Sequence, residues 1–169
     1  MSPSRRDFLK TSAATLAVAG VAQGAQQSQP ELIKKENSHK GASDWQLTRV
    51  RPAGYSTPSI EGYCSRQSVK TGESLDVMVS TNPTTRFALD IFRMGYYDGR
   101  GARLMTSLGP LTGKPQPKPK IGDKRLRQCH WEPLTKIKIP TDWPSGVYLG
   151  RLTTIPDANS KPYWQSYVV

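Results

Sequence analysis

A chain of 169 residues is long enough for one domain and too short for several. Its net charge of +11, from 24 Lys and Arg against 13 Asp and Glu, suits anionic neighbours and equally suits a merely soluble surface. Gly and Pro number 14 each, which argues for a turn-rich all-β domain, and a domain of this size needs neither a metal nor a disulfide scaffold to fold.

The chain opens on a leader. Ser4-Arg5-Arg6-Asp7-Phe8-Leu9-Lys10 carries the twin-arginine export pattern in Arg5, Arg6, Phe8, Leu9 and Lys10. Thr11 to Ala22 follows, Ala-rich and mildly apolar. As a helix it would be about 18 Å long, short of the roughly 30 Å hydrocarbon core, so it is a signal h-region rather than a stable membrane anchor. Small residues in Ala22-Gln23-Gly24 place the cut between Gly24 and Ala25. Removal of residues 1–24 takes away Arg5, Arg6, Lys10 and Asp7 and leaves +9. The expected partner is the twin-arginine translocase, which carries folded cargo, and the destination is the periplasm or beyond.

Residues 25–44 are polar and without period, and read as a flexible linker; the globular composition begins at Trp45. From there alternation recurs with no sustained helical period. Leu75, Val77 and Val79 share one face of Ser74–Thr81, and Phe87, Leu89 and Ile91 one face of Arg86–Met94. Trp131–Ile139 places Trp131, Thr135, Ile137 and Ile139 opposite Lys136 and Lys138. Ile60–Ser65, Ala102–Leu108, Gly146–Thr154 and Tyr163–Val169 complete a set of seven strands, with turns at Thr71-Gly72, Asn82-Pro83, Asp98-Gly99 and Trp143-Pro144-Ser145-Gly146. Without crossover helices these make an antiparallel β-sandwich over 45–169. Its expected core is Leu75, Val77, Val79, Leu89, Ile91, Ile137, Val147 and Leu149, filling the interior and leaving no obvious deep pocket.

The stretch 109–128, GPLTGKPQPKPKIGDKRLRQ, reads as a long surface loop. Lys114, Lys118, Lys120, Lys124, Arg125 and Arg127 stand in it against the single acid Asp123. It could hook an anionic partner or simply be solvated. It lacks the interleaved aromatics that base stacking needs, so nucleic acid is not expected. Tyr96 and Tyr97, in Tyr96-Tyr97-Asp98-Gly99, have three open uses: a sugar platform, a docking face, or one ring in the core with the other over the hairpin edge. Tyr148 suits the corner hydrogen bond of immunoglobulin-like domains.

Three blocks, IEGYCSRQSVKTGESLDVMVST, LDIFRMGYYDGRGARLM and PTDWPSGVYLGRL, resemble the immunoglobulin-like sandwich at the front of proteins similar to the large (beta) subunit of N,N-dimethylformamidase. The most specific run is Pro140 to Tyr148. The resemblance implies hydrolysis of the C–N bond of small amides at an iron held by tyrosine and carboxylate side chains in a domain downstream of the sandwich. No position here matches that ligand motif, so no catalytic, cofactor or metal residue carries over. The expectation is an accessory sandwich, in a truncated protein or a fragment, served by a catalytic domain or subunit and inactive alone. The alternative is a free-standing periplasmic module for an anionic glycan or envelope partner.

The residues themselves suggest no catalytic constellation: His39 and His130 stand apart, and the carboxylates are scattered. Cys64 and Cys129 are the two cysteines. A bridge would close a loop of about 65 residues and add roughly 4 kcal/mol in the chain-entropy model. Folding before export, where thiols stay reduced, argues for free thiols instead.

Overall fold

The computed structural model describes residues 29–51, 57–156 and 163–169. The export signal and the Gly24/Ala25 cut lie outside them. Among the described residues no helix is long and apolar enough to cross a membrane.

Among the described residues seven strands form two antiparallel sheets. One contains β1 (Ile60–Cys64), β2 (Ser74–Thr81) and β5 (Thr135–Lys138), in the order β1-β2-β5. The other contains β3 (Thr85–Met94), β4 (Ala102–Gly113), β6 (Tyr148–Thr154) and β7 (Gln165–Val168), in the order β4-β3-β6-β7. The sheets face each other across Ile60, Val77, Val79, Phe87, Leu89, Ile91, Leu152 and Val168. This is the expected all-β sandwich.

Three local readings change. β4 continues through Pro110 to Gly113, so the stretch that begins at 109 is a strand before it is a loop. Pro110 is tolerated because β4 lies at the sheet edge, and the register shifts between Phe87 and Leu89 where the strand passes it. Trp131 is not in a strand: Pro133 delays β5 to Thr135, and Trp131 instead packs its ring 5.3 Å from that of Tyr63. The inward face of β6 is also shifted by one residue. Tyr148 packs against the core and Gly150 and Leu152 are buried, whereas Val147 is 58% exposed. Leu149 lies opposite Phe92, on the outer side of the sheet. A Cβ at Gly150 would come 2.6 Å from Val168 Cγ2 and 2.9 Å from Leu89 Cδ1, so this inward position is filled by a residue that carries no apolar signal. Leu75 and Ile137 are half-buried.

Over residues 29–44 the linker reading is corrected as well. Gln29–Asn37 forms helix α1, with Glu31 in its first turn and Lys34 and Lys35 in its last, an order favourable to the helix dipole. The chain beyond it straps across the outer face of the four-stranded sheet. Ala42 pairs with Ala102 at the β4 end, and the Gln165 amide donates to the Arg49 carbonyl at the β7 end. Between them the Tyr167 hydroxyl donates to the Trp45 carbonyl at 2.7 Å, and the Arg151 guanidinium reaches the Asp44 carbonyl. Under the strap a polar row crosses the sheet. Ser107 donates to Asp90 at 2.7 Å and Arg151 donates to the other Asp90 oxygen at 2.8 Å, while the Arg151 guanidinium lies 5.2 Å from the Phe92 ring.

Candidate functional site

Three features collect the chemistry-bearing residues. The first is the β3–β4 turn. Tyr97 and Asp98 both adopt left-handed φ, 41° and 56°. For a tyrosine this costs about 1–2 kcal/mol, and packing offsets it. The turn drives the Tyr97 ring to complete burial and leaves Tyr96 67% exposed. Tyr97 is thus a core residue rather than part of a two-tyrosine surface. Asn37 at the end of α1 holds the turn, its Oδ1 accepting from the amides of Tyr96 and Tyr97 at 3.1 and 3.3 Å.

Glu36 ties the same helix to the same turn. It accepts from the Tyr97 hydroxyl at 2.6 Å and from Arg103 Nη1 at 2.9 and 3.0 Å. Arg93 Nη1 donates to the Tyr97 oxygen at 2.9 Å, and its Nη2 to the Ser145 carbonyl at 2.9 Å. Burial pushes the Glu36 carboxyl up, but the Tyr97 hydroxyl, Arg103 and Arg93 together outweigh it and hold the group below its ordinary value. Burial, reinforced by Glu36, pushes Tyr97 up despite Arg93.

A tyrosine beside a carboxylate is the donor type that the resemblance implies for iron, so this pair bears on fit. It does not fit. The hydroxyl proton is committed to Glu36, both carboxylate oxygens are occupied by Arg103, and two guanidinium charges oppose a cation there. Among the described residues no three of His, Cys, Asp and Glu converge as a metal site. His39 sits 3.9 Å from Glu36, and His130 is exposed elsewhere.

The second feature is the basic loop. Lys114, Lys118, Lys120, Lys124, Arg125 and Arg127 are all exposed. The segment is folded back on itself at Asp123–Arg125, with Ile121 bridged to Arg127, and the Trp131 indole donates to the Pro117 carbonyl at 2.8 Å. No described contact joins it to Tyr96, the other half of the expected interaction surface.

The third feature was not anticipated from the sequence. A cleft of about 840 Å³ opens between the sheets at one end of the sandwich. Its floor is Val77, Leu89 and Ile91, and its walls include Leu75, Ile137 and Ile139. One lip is the 65–73 connection and the other the 139–147 connection, joined where the Gly72 amide donates to the Ile139 carbonyl and the Ile139 amide to Glu73. Trp143 and Tyr148 stack at 5.1 Å with planes 8° apart on the second lip, and the Tyr148 hydroxyl donates to the Pro144 carbonyl at 2.5 Å. This is the corner bond expected of Tyr148. Cys64 lines the cleft, Cys129 does not, and both are free thiols in this structure. Burial pushes the Cys64 thiol up.

The sheet that carries these features can be compared with known families. Residues 88–165 match the family model N,N-dimethylformamidase beta subunit-like, C-terminal. This stretch is dimethylformamidase beta subunit-like. It runs from β3 through β4, the basic loop, β5 and β6 to the start of β7. Two of the three resembling blocks fall wholly within it, and the first, from Ile60 to Thr81, lies before it. The model describes a C-terminal region, so it does not support placing the dimethylformamidase-like stretch at the front of the subunit. Residues 2–22 match the TAT (twin-arginine translocation) pathway signal sequence, which includes Arg5 and Arg6. The chain is therefore exported by the twin-arginine translocase, consistent with a periplasmic location. No curated protein and no solved structure matches the chain.

Proposed function

We propose that the folded region is an accessory sandwich of an exported N,N-dimethylformamidase-like amidohydrolase, supporting C–N bond hydrolysis of small amides through an iron-bearing catalytic domain or subunit and inactive without it. The observation that carries this reading is the family match over 88–165, which spans the sheet rather than a constellation of reactive side chains. Amide hydrolysis at neutral pH needs an activated water or nucleophile and a preorganised site for the oxyanion. The tyrosine–carboxylate pair of this chain is instead a structural clasp between α1 and the β3–β4 turn, closed by two arginines. The exposed faces, Tyr96 and the basic loop, are suited to contact and not to activating water.

The test is direct. Mature protein starting at residue 25 is purified from the periplasm, supplied with iron salts, and assayed for dimethylamine released from dimethylformamide. Release at the buffer rate and no stoichiometric iron by elemental analysis are expected. Iron bound one-to-one together with turnover would overturn the proposal.

A further inference from the structure

The basic loop that follows β4 is built more firmly than a solvated connection requires. Its stem is fastened to the sandwich: the Gln116 amide donates to Ser80 Oγ at 3.1 Å, the Gln116 side-chain amide to the Glu132 carbonyl at 3.1 Å, and the Trp131 indole to the Pro117 carbonyl at 2.8 Å. Pro115, Pro117 and Pro119 stiffen the outward arm. At the tip the Gly122 amide donates to the Leu126 carbonyl at 2.8 Å, and the Leu126 amide to the Asp123 carbonyl at 3.1 Å. The loop is thus a closed hairpin, held in one shape before a partner arrives.

The two central residues of that turn, Lys124 and Arg125, both have left-handed φ, 53° and 61°. Asn-Gly is the pair that fits such a turn without strain, so a pair of long basic residues is an unfavourable way to reverse the chain. Strain of this kind points to use of the side chains themselves. Ile121 and Leu126 flank the turn and are 63% and 66% exposed. Lys114, Lys118, Lys120, Lys124 and Arg125 are exposed along the same hairpin, and none of them pairs with a described carboxylate. They outnumber the acids of the stretch, Asp123 and Glu132.

An exposed apolar pair set among bases matches an anionic bilayer surface, whose phosphates suit Lys and Arg and whose acyl boundary suits Ile and Leu. A soluble polyanion would use the bases and leave Ile121 and Leu126 in water. Export also carries the chain across a membrane, so it emerges beside such a surface. We propose that this hairpin docks the exported chain, tip first and reversibly, on anionic lipid, with Lys124 and Arg125 at the headgroup phosphates and Ile121 and Leu126 in the interface.

The experiment uses the mature chain and sedimentation with vesicles of phosphatidylcholine, alone or mixed in equal parts with phosphatidylglycerol. Binding to the mixed vesicles only, weakened by added salt, is expected. Lys124→Asn with Arg125→Gly supplies the unstrained turn and so keeps the hairpin closed. It should weaken binding about twentyfold, roughly fivefold for each charge removed. Lys118→Gln with Lys120→Gln repeats the charge loss outside the turn and should act in the same direction. Ile121→Ser with Leu126→Ser keeps every charge and should weaken binding about tenfold. Unchanged thermal midpoints keep these readouts separate from folding.

No binding to either vesicle, equal binding to both, or undiminished binding in the charge variants would overturn the proposal. So would wild-type binding by the Ile121→Ser, Leu126→Ser variant, since that would assign the bases to a soluble polyanion such as dextran sulfate. None of these readouts involves amide hydrolysis, so this proposal and the accessory role fail separately.

Discussion

Replacing Glu36 by Ala should release α1 from the sandwich. The Glu36 side chain is 10% exposed and binds Tyr97 and Arg103 together. Removing one partner of a buried ion pair costs about 3–5 kcal/mol because the other charge is stranded. The Arg103 side chain is 26% exposed and regains water, which brings the figure to about 2–3 kcal/mol. The fully buried Tyr97 also loses the acceptor for its hydroxyl, which adds about 1 kcal/mol. A total of about 3 kcal/mol corresponds to roughly a hundredfold change in the docking equilibrium. Because the clasp is local, the loss should appear as faster amide exchange in the second half of α1 rather than as collapse of the sheets. Hydrogen exchange read by mass spectrometry measures it, and Glu36→Gln, which keeps an acceptor, should fall between wild type and Ala. Exchange in Glu36→Ala within about threefold of wild type would refute the clasp. The same carboxyl sets a pH dependence. Its folded value lies below the ordinary 4.5, so its contribution is complete above pH 4.5 and is lost as pH falls below that toward the folded value. Acid should therefore free α1 in wild type and change little in Glu36→Ala.

Two further outcomes follow from burial. Leu89→Ala empties a fully buried position at the cleft floor and should cost about 2–5 kcal/mol in urea unfolding followed by tryptophan fluorescence; a loss under about 1 kcal/mol would mean that the floor is not packed. Iodoacetamide should modify both cysteines of exported, unreduced protein, Cys64 more slowly than Cys129 because burial raises the Cys64 thiol, whereas a mass two protons light with neither alkylated would establish the bridge instead.

The alternation of Leu75, Val77 and Val79 was enough to bound β2 at Ser74–Thr81, because a strand with one apolar face states its own register. β6 was misphased because its inward side holds Gly150, which has no side chain to signal a face, and because Val147 and Leu149 supplied a false apolar period. The extension of β4 was hidden by Pro110, which excludes an interior strand but not an edge, and edge position is a property of the assembled sheet. Helix α1 is short, charged and without an apolar stripe, so only docking through Glu36 and Asn37 makes it persist, and those bonds span some sixty residues. Trp45, which marked the start of globular composition, does belong to the strap, its indole donating to the Arg100 carbonyl at 2.9 Å. The cleft was illegible for a related reason. The residues that line it are the apolar residues of an ordinary core, and only the separation of the sheets distinguishes floor from filling.

The folded sandwich leaves the cytoplasm by the twin-arginine route. The most direct measurement is the intact mass of the protein in periplasmic and cytoplasmic fractions for wild type and for Arg5→Lys with Arg6→Lys. Wild type should yield periplasmic chain beginning at Ala25, and the double variant should remain inside as uncleaved precursor. Normal maturation of the variant, or of wild type in cells lacking the twin-arginine translocase, would contradict the account.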